Sequence, residues 1–203
     1  MARANEVIDA VAEAAEGDNP VEAGRAAEII AEARFLRGYH ALTAQLHFRN
    51  PAYVDDAAYD VNNTESSKVP NGGQIWDQII ADFSAAAAAL PATQADLGRA
   101  TSWAAKAFLA MTHMHSGDAG LIAAAIPVME DIVNNGPFEL VEKYEDNHLV
   151  ATRNNKESIF EVQYAISSGD DQNGNKDVGL AHPYIAPWGC CGFWQATQDL
   201  VDF

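Results

Sequence analysis

The sequence predicts a mainly α-helical fold of helical hairpins with long irregular loops and a short extended segment toward its C-terminal side. Apolar residues recur with a helical period through residues 1–136, and clusters of Gly, Pro and Asn separate the periodic runs. After Phe138 this period is lost. We therefore predict one domain over residues 1–203, with a helical scaffold at 1–136 and a loop-rich, partly extended ligand-side segment at 137–203.

The first two helices are predicted over residues 4–16 and 21–48, and the segment GDNP at 17–20 separates them with residues that cap and break helices. The second helix needs neighbouring helices to cover its apolar stripe. That stripe consists of Phe35, Tyr39, Leu42 and Leu46, widened by Ile29, Ala33 and Leu36.

Residues 49–73 have no sustained period and are rich in Asn, Asp, Ser, Gly and Pro, which predicts a long loop. A third helix is predicted over 74–90, and Pro91 ends it. A fourth is predicted over 101–116 with Gly117 as its C-terminal glycine. Its apolar stripe is Trp103, Ala107, Ala110 and Met114.

A fifth helix is predicted to follow directly and to end before Gly136, with a kink at Pro127. Its apolar stripe is Ile122, Ile126, Met129 and Val133. The span from Trp103 to Gly136 has the length and the helix–turn–helix order of one tetratricopeptide unit. Helices two and three are interpreted as a second, degenerate unit. The later segment ESIFEVQYA, residues 157–165, alternates apolar and polar positions and predicts a strand or an extended stretch.

The charge balance argues against nucleic acid as a partner. Twelve Lys and Arg face 29 Asp and Glu, so the formal net charge is -17 and a phosphate backbone would be repelled. We expect no disulfide framework, because Cys190 and Cys191 are sequence neighbours. Residues 1–17 do not read as a signal sequence, and no apolar run is long enough to span a bilayer.

Metal and catalytic motifs are weak, so no cofactor and no enzymatic activity are expected. His113 and His115 lie on different sides of one helix, and His40 and His47 are two turns apart, so neither pair has metal-site spacing. Residues 169–179 resemble a calcium loop, but Lys176 and His182 occupy its two most diagnostic positions. A polar surface turn is the simpler interpretation.

Aromatic residues in the segment AHPYIAPWGCCGFW, 181–194, are the best candidates for a ligand site. Exposed aromatic faces suit stacking on the C–H faces of sugar rings. We predict ligand contacts at Trp188, then at Trp194 and Tyr184. The alternative is that these rings only pack against the helical scaffold.

Arg34 and Arg37 flank the apolar stripe of helix two, where they could mark a binding site or belong to the scaffold. Their spacing at i and i+3 places them on one flank of the helix, and acidic partners are plentiful. The scaffold interpretation is favoured, with both guanidinium groups bound by carboxylates or carbonyls of a neighbouring helix.

Six segments, in this order, resemble the SusD/RagB family of nutrient-binding outer-membrane lipoproteins of Bacteroidetes. They are RANEVID (3–9), AEARFLRGYHAL (31–42), VPNGGQIWDQIIADFSAAAAALP (69–91), GRATSWAAKAFLAMTHMHSGD (98–118), NKESIFEVQY (155–164) and TQDLVDF (197–203). Departures are Gly38 for the usual Ala, HFRNPAY after helix two, and the missing Ala before Phe203. Family members are also much longer, so this chain is interpreted as a fragment.

The resemblance implies a superhelix of tetratricopeptide-like units and a function in binding an oligosaccharide or other nutrient. It also implies delivery to a SusC-like TonB-dependent transporter at the cell-surface face of the outer membrane. The family's N-terminal lipid anchor is absent from this chain. The rival hypothesis is a tetratricopeptide-type protein interaction scaffold without a sugar site.

Overall fold

The computed structural model describes residues 1–163, and helices dominate this part of the chain. Its five α-helices are α1 (Ala2–Glu16), α2 (Ala23–Phe48), α3 (Trp76–Ala89), α4 (Ser102–His115) and α5 (Ala119–Asn135). Short 3₁₀ turns lie at Thr64–Ser67, Tyr144–Asn147 and Val150–Thr152. The mainly α fold class is therefore confirmed. Residues 1–161 form one compact unit.

The helix ends follow local capping chemistry. The Glu22 carboxylate accepts hydrogen bonds from the backbone N–H groups of Gly24 and Arg25 at the start of α2. Thr101 caps α4, and Asp118 caps α5. Gly117, with φ of +74°, makes the left-handed turn between α4 and α5 that the sequence predicts.

Consecutive helices pack against each other from α1 to α5, and α4 also contacts α2. Phe35 lies at the centre of the core, and three other phenylalanine rings surround it. The ring centroids of Phe83, Phe108 and Phe160 lie 5.8, 5.5 and 5.2 Å from that of Phe35, with edge-to-face geometry. Phe160 therefore fixes the segment after α5 on the helical scaffold.

The close contact between α2 and α3 depends on Gly38. A Cβ atom at this position would lie 3.2 Å from two ring atoms of Phe83 and 3.3 Å from Cβ of Asp82. The missing side chain therefore makes room for Phe83. This accounts for glycine at a position where the resembling family usually has alanine.

Two sequence predictions about α2 and the later segment need correction. Leu36 and Leu46 are 51% and 46% exposed, although both were placed in the apolar stripe. The buried face of α2 instead includes Arg37 and Gln45. Hydrogen bonds to α3 and to the segment directly before it satisfy the polar groups of both side chains. Residues 157–163 form no strand, and this range includes a turn at Glu157 and a bend at Ile159.

Candidate functional site

The predicted ligand residues Tyr184, Trp188 and Trp194 lie outside the described residues, as do the calcium-like loop and the two cysteines. They stay predictions. Within residues 1–163, three features have the burial, charge or concavity that a functional site requires. These are a buried polar cluster around Arg37, a cavity beside Arg99, and an apolar groove between α4 and α5.

The polar cluster is built around the guanidinium group of Arg37, which is 3% exposed. Nε of Arg37 donates to Oδ2 of Asp82 at 2.9 Å, and Nη2 donates to Oδ1 of Asp82 at 2.7 Å. Nη1 donates to Oδ1 of Asn5 at 2.9 Å and also to Asp56. The phenol of Tyr53 donates to Oδ2 of Asp82. One arginine thereby connects α1, α2, α3 and the loop after α2.

The electrostatics of this cluster favour its charged form. Burial by itself lowers the pKa of Arg37, but hydrogen bonds to Asp82 and Asp56 outweigh it and raise this pKa above the ordinary value. Burial and the Asp82 charge raise the pKa of Tyr53, so its phenol stays protonated and can donate. The cluster is closed on itself, and its chemistry is that of a structural network.

This network decides whether Arg34 and Arg37 belong to a binding site or to the scaffold. Arg37 is a scaffold residue, as the sequence indicated, and it contacts a neighbouring helix through Asp82. Arg34 differs, because it is partly exposed and makes no ion pair or hydrogen bond with other residues in the described range. The sequence did contain a signal for Asp82, which lies seven residues after Ile75 on the apolar face of α3. A lone acid on such a face indicates a buried partner.

Beside Arg99 there is a cavity of about 170 Å³ with mixed polar and apolar walls. Arg99 forms a two-point ion pair with Glu32 of α2, with distances of 2.8 Å from Nε and 2.6 Å from Nη2. A second cavity of about 180 Å³ shares Gly98, Arg99 and Phe160 with the first. The charges of Arg99 and Glu32 compensate each other in this ion pair, and the acidic residues Asp96 and Glu161 also line the first cavity.

The groove between α4 and α5 is larger, about 460 Å³, and its walls are almost entirely apolar. Ala107 and Ala110 form its floor on α4, and Met111, Met114, Met129 and Val133 are among the other residues that line it. Met114 and Val133 are 53% and 78% exposed. Both belong to stripes that the sequence predicts to be packed, so the structure leaves part of those stripes open.

Metal ligands do not converge within residues 1–163, where no group of three or more His, Cys, Asp and Glu side chains could hold an ion. His113 is 7% exposed, and its Nδ1 atom has no hydrogen-bond partner among residues 1–163. Burial lowers the pKa of His113, so the imidazole is kept neutral. As to membranes, none of the helices in this part of the chain combines the length and the apolarity of a bilayer span.

The described fold is that of a helical-repeat protein, whose consecutive helices stack around one aromatic core. Comparison with known proteins then gives the family. A SusD-like protein of Bacteroides ovatus is 30% identical over 169 residues, which make up 79% of this chain and 30% of that protein. The chain is similar to the SusD-like proteins over most of its length, and the resemblance seen in its sequence motifs is confirmed. No protein-family model matches the sequence.

Solved structures agree with this assignment. A SusD-like carbohydrate-binding protein of Bacteroides fragilis is 29% identical, with a TM-score of 0.62 over 80% of this chain and 31% of that one. Surface glycan-binding protein A of Bacteroides thetaiotaomicron, in complex with laminarihexaose, has a TM-score of 0.66. Its match covers 80% of this chain and 32% of that chain at 21% identity, which shows the fold alone. The chain thus spans about a third of the length of these relatives.

Proposed function

We propose that this chain is part of a cell-surface protein that binds an oligosaccharide and delivers it to a SusC-like TonB-dependent transporter in the outer membrane. The observation that supports this is the 29% identity to a SusD-like carbohydrate-binding protein over 80% of the chain. A second SusD-superfamily neighbour was solved with laminarihexaose. The proposed activity is binding and transfer of the ligand without catalysis, and the proposed anchor is a lipid at the N-terminus of the whole protein.

In this proposal the described helices do not form most of the ligand site. The Arg37 cluster is closed, and the Arg99 cavities have room for about one sugar ring at most. An oligosaccharide needs a longer surface with aromatic faces. We therefore propose the main contacts at Trp188, then at Trp194 and Tyr184.

Titration of the purified protein against a panel of oligosaccharides tests this proposal. We expect saturable binding of at least one glycan, and a loss of affinity of about tenfold or more in Trp188→Ala, since a stacked ring contributes on the order of 1.4 kcal/mol. Trp76→Ala is the matched control, because Trp76 packs against the helical core in the described part of the chain. Its expected effect is on stability, with unchanged affinity of the folded protein.

Binding to no member of a broad panel would overturn glycan recognition. Equal affinity of Trp188→Ala and the unchanged protein would remove Trp188 from the site. Delivery is tested separately, by cross-linking in intact cells and purification through this protein. Recovery of a TonB-dependent transporter is expected, and its absence would contradict the transport step.

The rival function, a scaffold for protein partners, is favoured by one observation, the apolar groove between α4 and α5. Grooves of this kind accept amphipathic helices. Glycan titration separates the two functions, because a scaffold without a sugar site leaves the glycan panel unbound.

A further inference from the structure

Three Asn–Gly pairs occur in the sequence, at residues 71–72, 135–136 and 173–174. In such a pair the backbone nitrogen of the glycine can attack the side-chain amide carbon of the asparagine, because glycine has no Cβ atom to obstruct the approach. The attack requires a nitrogen that is free of hydrogen bonds and a backbone that can rotate. The first two pairs lie in the described part of the chain, and their surroundings differ.

Asn71 and Gly72 meet both conditions. They lie outside any helix, in the loop before α3, and both are exposed. Within residues 1–163 neither the Asn71 side chain nor the Gly72 N–H group takes part in a hydrogen bond. A Cβ atom at Gly72 would have nothing within 4 Å apart from its chain neighbours, and the next residue, Gly73, has a φ of +152°. This segment therefore has the room and the backbone freedom for ring closure.

Asn135 and Gly136 provide an internal comparison. Asn135 is exposed as well, but it is the last residue of α5. The N–H group of Gly136 donates to the carbonyl oxygen of Ile132 at 3.0 Å, and Nδ2 of Asn135 donates to Oδ1 of Asp131 at 2.8 Å. The attacking nitrogen and the amide that it would attack are thus both held, and the reaction needs a local opening of the helix end. The two pairs share their exposure and differ in their hydrogen bonds.

We propose that Asn71 is a site of spontaneous covalent modification, in which Asn71 and Gly72 close a succinimide ring that water then opens. The Gly72 nitrogen loses its proton and forms a bond to Cγ of Asn71, and the bond from Cγ to Nδ2 breaks with release of ammonia. Water adds to one of the two ring carbonyls. Addition at Cγ leaves aspartate, and addition at the main-chain carbonyl leaves isoaspartate. The reaction consumes only water and needs no oxidant, reductant or cofactor.

The product changes the segment that leads into α3. It adds a negative charge to a chain whose formal charge is already -17. The isoaspartate form also lengthens the main chain just before Ile75, whose N–H group donates to Oε1 of the buried Gln45 at 2.8 Å. That hydrogen bond holds the start of α3 against α2. The modification therefore lies next to an anchor of the scaffold, and it does not depend on the proposed function.

Peptide mapping after incubation of the full chain at mildly alkaline pH tests the proposal, since the attacking nitrogen must lose its proton. Trypsin places the three Asn–Gly pairs in separate peptides, 69–99, 107–143 and 157–176, and the first contains no other asparagine. We expect Asn71 to be converted about tenfold or more faster than Asn135, whose pair is held by hydrogen bonds. The product should elute as two peaks of equal mass, one for aspartate and one for isoaspartate.

Guanidinium chloride and two variants complete the experiment. The denaturant removes the Gly136 hydrogen bond, so the rates at Asn71 and Asn135 should approach each other in it. Gly72→Ala should slow the reaction at Asn71 by about tenfold or more, because its Cβ obstructs the nitrogen without meeting other atoms of the fold.

Gly17→Ala is the matched control. Its Cβ would lie at an ordinary contact distance of 3.8 Å, outside any Asn–Gly pair, and the rate at Asn71 should stay unchanged. Three outcomes would overturn the proposal: an unmodified 69–99 peptide, equal rates at Asn71 and Asn135 in the folded protein, or an Asn71 rate that Gly72→Ala does not lower.

Discussion

Arg37 on α2 and Asp82 on α3 form a two-point ion pair in the protein interior, at 2.9 Å between Nε and Oδ2 and 2.7 Å between Nη2 and Oδ1. Their side chains are 4% and 2% exposed. Removal of one partner of such a buried ion pair strongly lowers the stability of the protein, because the other charge is left uncompensated in the interior. Replacement of both partners by apolar residues costs less. The contact joins two helices through residues that are 45 positions apart in sequence.

Arg37→Met is therefore expected to lower the free energy of unfolding by about 3–5 kcal/mol, because it leaves Asp82 uncompensated. The double variant Arg37→Met with Asp82→Leu is expected to recover most of that loss. Urea unfolding of the three proteins measures both effects. Additive losses in the double variant would show that the two residues do not act as a pair.

Arg34→Ala is the natural comparison for Arg37. Since Arg34 is partly exposed and unpaired among the described residues, we expect this variant to lose less than about 1 kcal/mol. The same urea titration measures it. A loss as large as that of Arg37→Met would restore the expectation that both arginines hold neighbouring helices.

Tyr53→Phe removes a single hydrogen bond from the cluster. The Tyr53 phenol donates to Oδ2 of Asp82, which keeps its bonds to Arg37 in the variant. The expected loss is about 1.5–3 kcal/mol, the range for a hydrogen bond to a charged group. Thermal unfolding at one pH measures it, and an unchanged Tm would show that water replaces the phenol.

His113 should make the fold sensitive to mild acid. Its pKa is lowered by burial from the ordinary value of 6.5, so below about pH 6.5 the unfolded chain takes up this proton more readily than the folded protein. The contribution of His113 to stability is thus complete above that pH and is lost as the pH falls. Urea unfolding at pH 7.5 and at about pH 5.5 measures the loss.

His113→Leu is the control for this pH effect. It should reduce the difference in stability between the two pH values, because it removes the His113 imidazole and leaves the other five histidines unchanged. Removal of the buried Nδ1 atom, which has no partner, should also add about 1 kcal/mol at pH 7.5. An unchanged pH difference would assign the acid sensitivity to other groups.

Gly38→Val tests the close approach of α2 and α3. The first added carbon would already lie 3.2 Å from the Phe83 ring, and the two methyl groups of valine extend further. Overpacking of this kind is expected to cost about 1–3 kcal/mol. Thermal unfolding measures the loss, and Ala44→Val at a partly exposed position on the same helix is the matched control.

Most of the helical scaffold was predictable from the sequence because its signals are local. The predicted helices at 21–48 and 101–116 compare with Ala23–Phe48 and Ser102–His115 in the structure. Periodic apolar residues, caps such as Asp118 and the glycine at 117 act over one or two helical turns. The family was predictable as well, since its motifs retain their order along the chain.

The functional residues were harder to predict. The aromatic candidates Tyr184, Trp188 and Trp194 stay predictions, since they lie outside the described residues. The α4–α5 groove was not predicted, because a periodic stripe shows that a helix has an apolar face and does not show whether a partner covers it. Met114 and Val133 match the packed pattern in sequence and are exposed in the structure.

The sequence by itself determined the helices, the residues that end them and the family that the chain resembles. The helices and their ends depend on residues close together in sequence, and the family resemblance depends on the order of the motifs. Only the tertiary structure decided that Arg37 is buried and paired with Asp82 while Arg34, three residues earlier, is not. The physical reason is that burial and pairing depend on which helix faces which side chain. Side chains 45 residues apart meet only after α2 and α3 have packed.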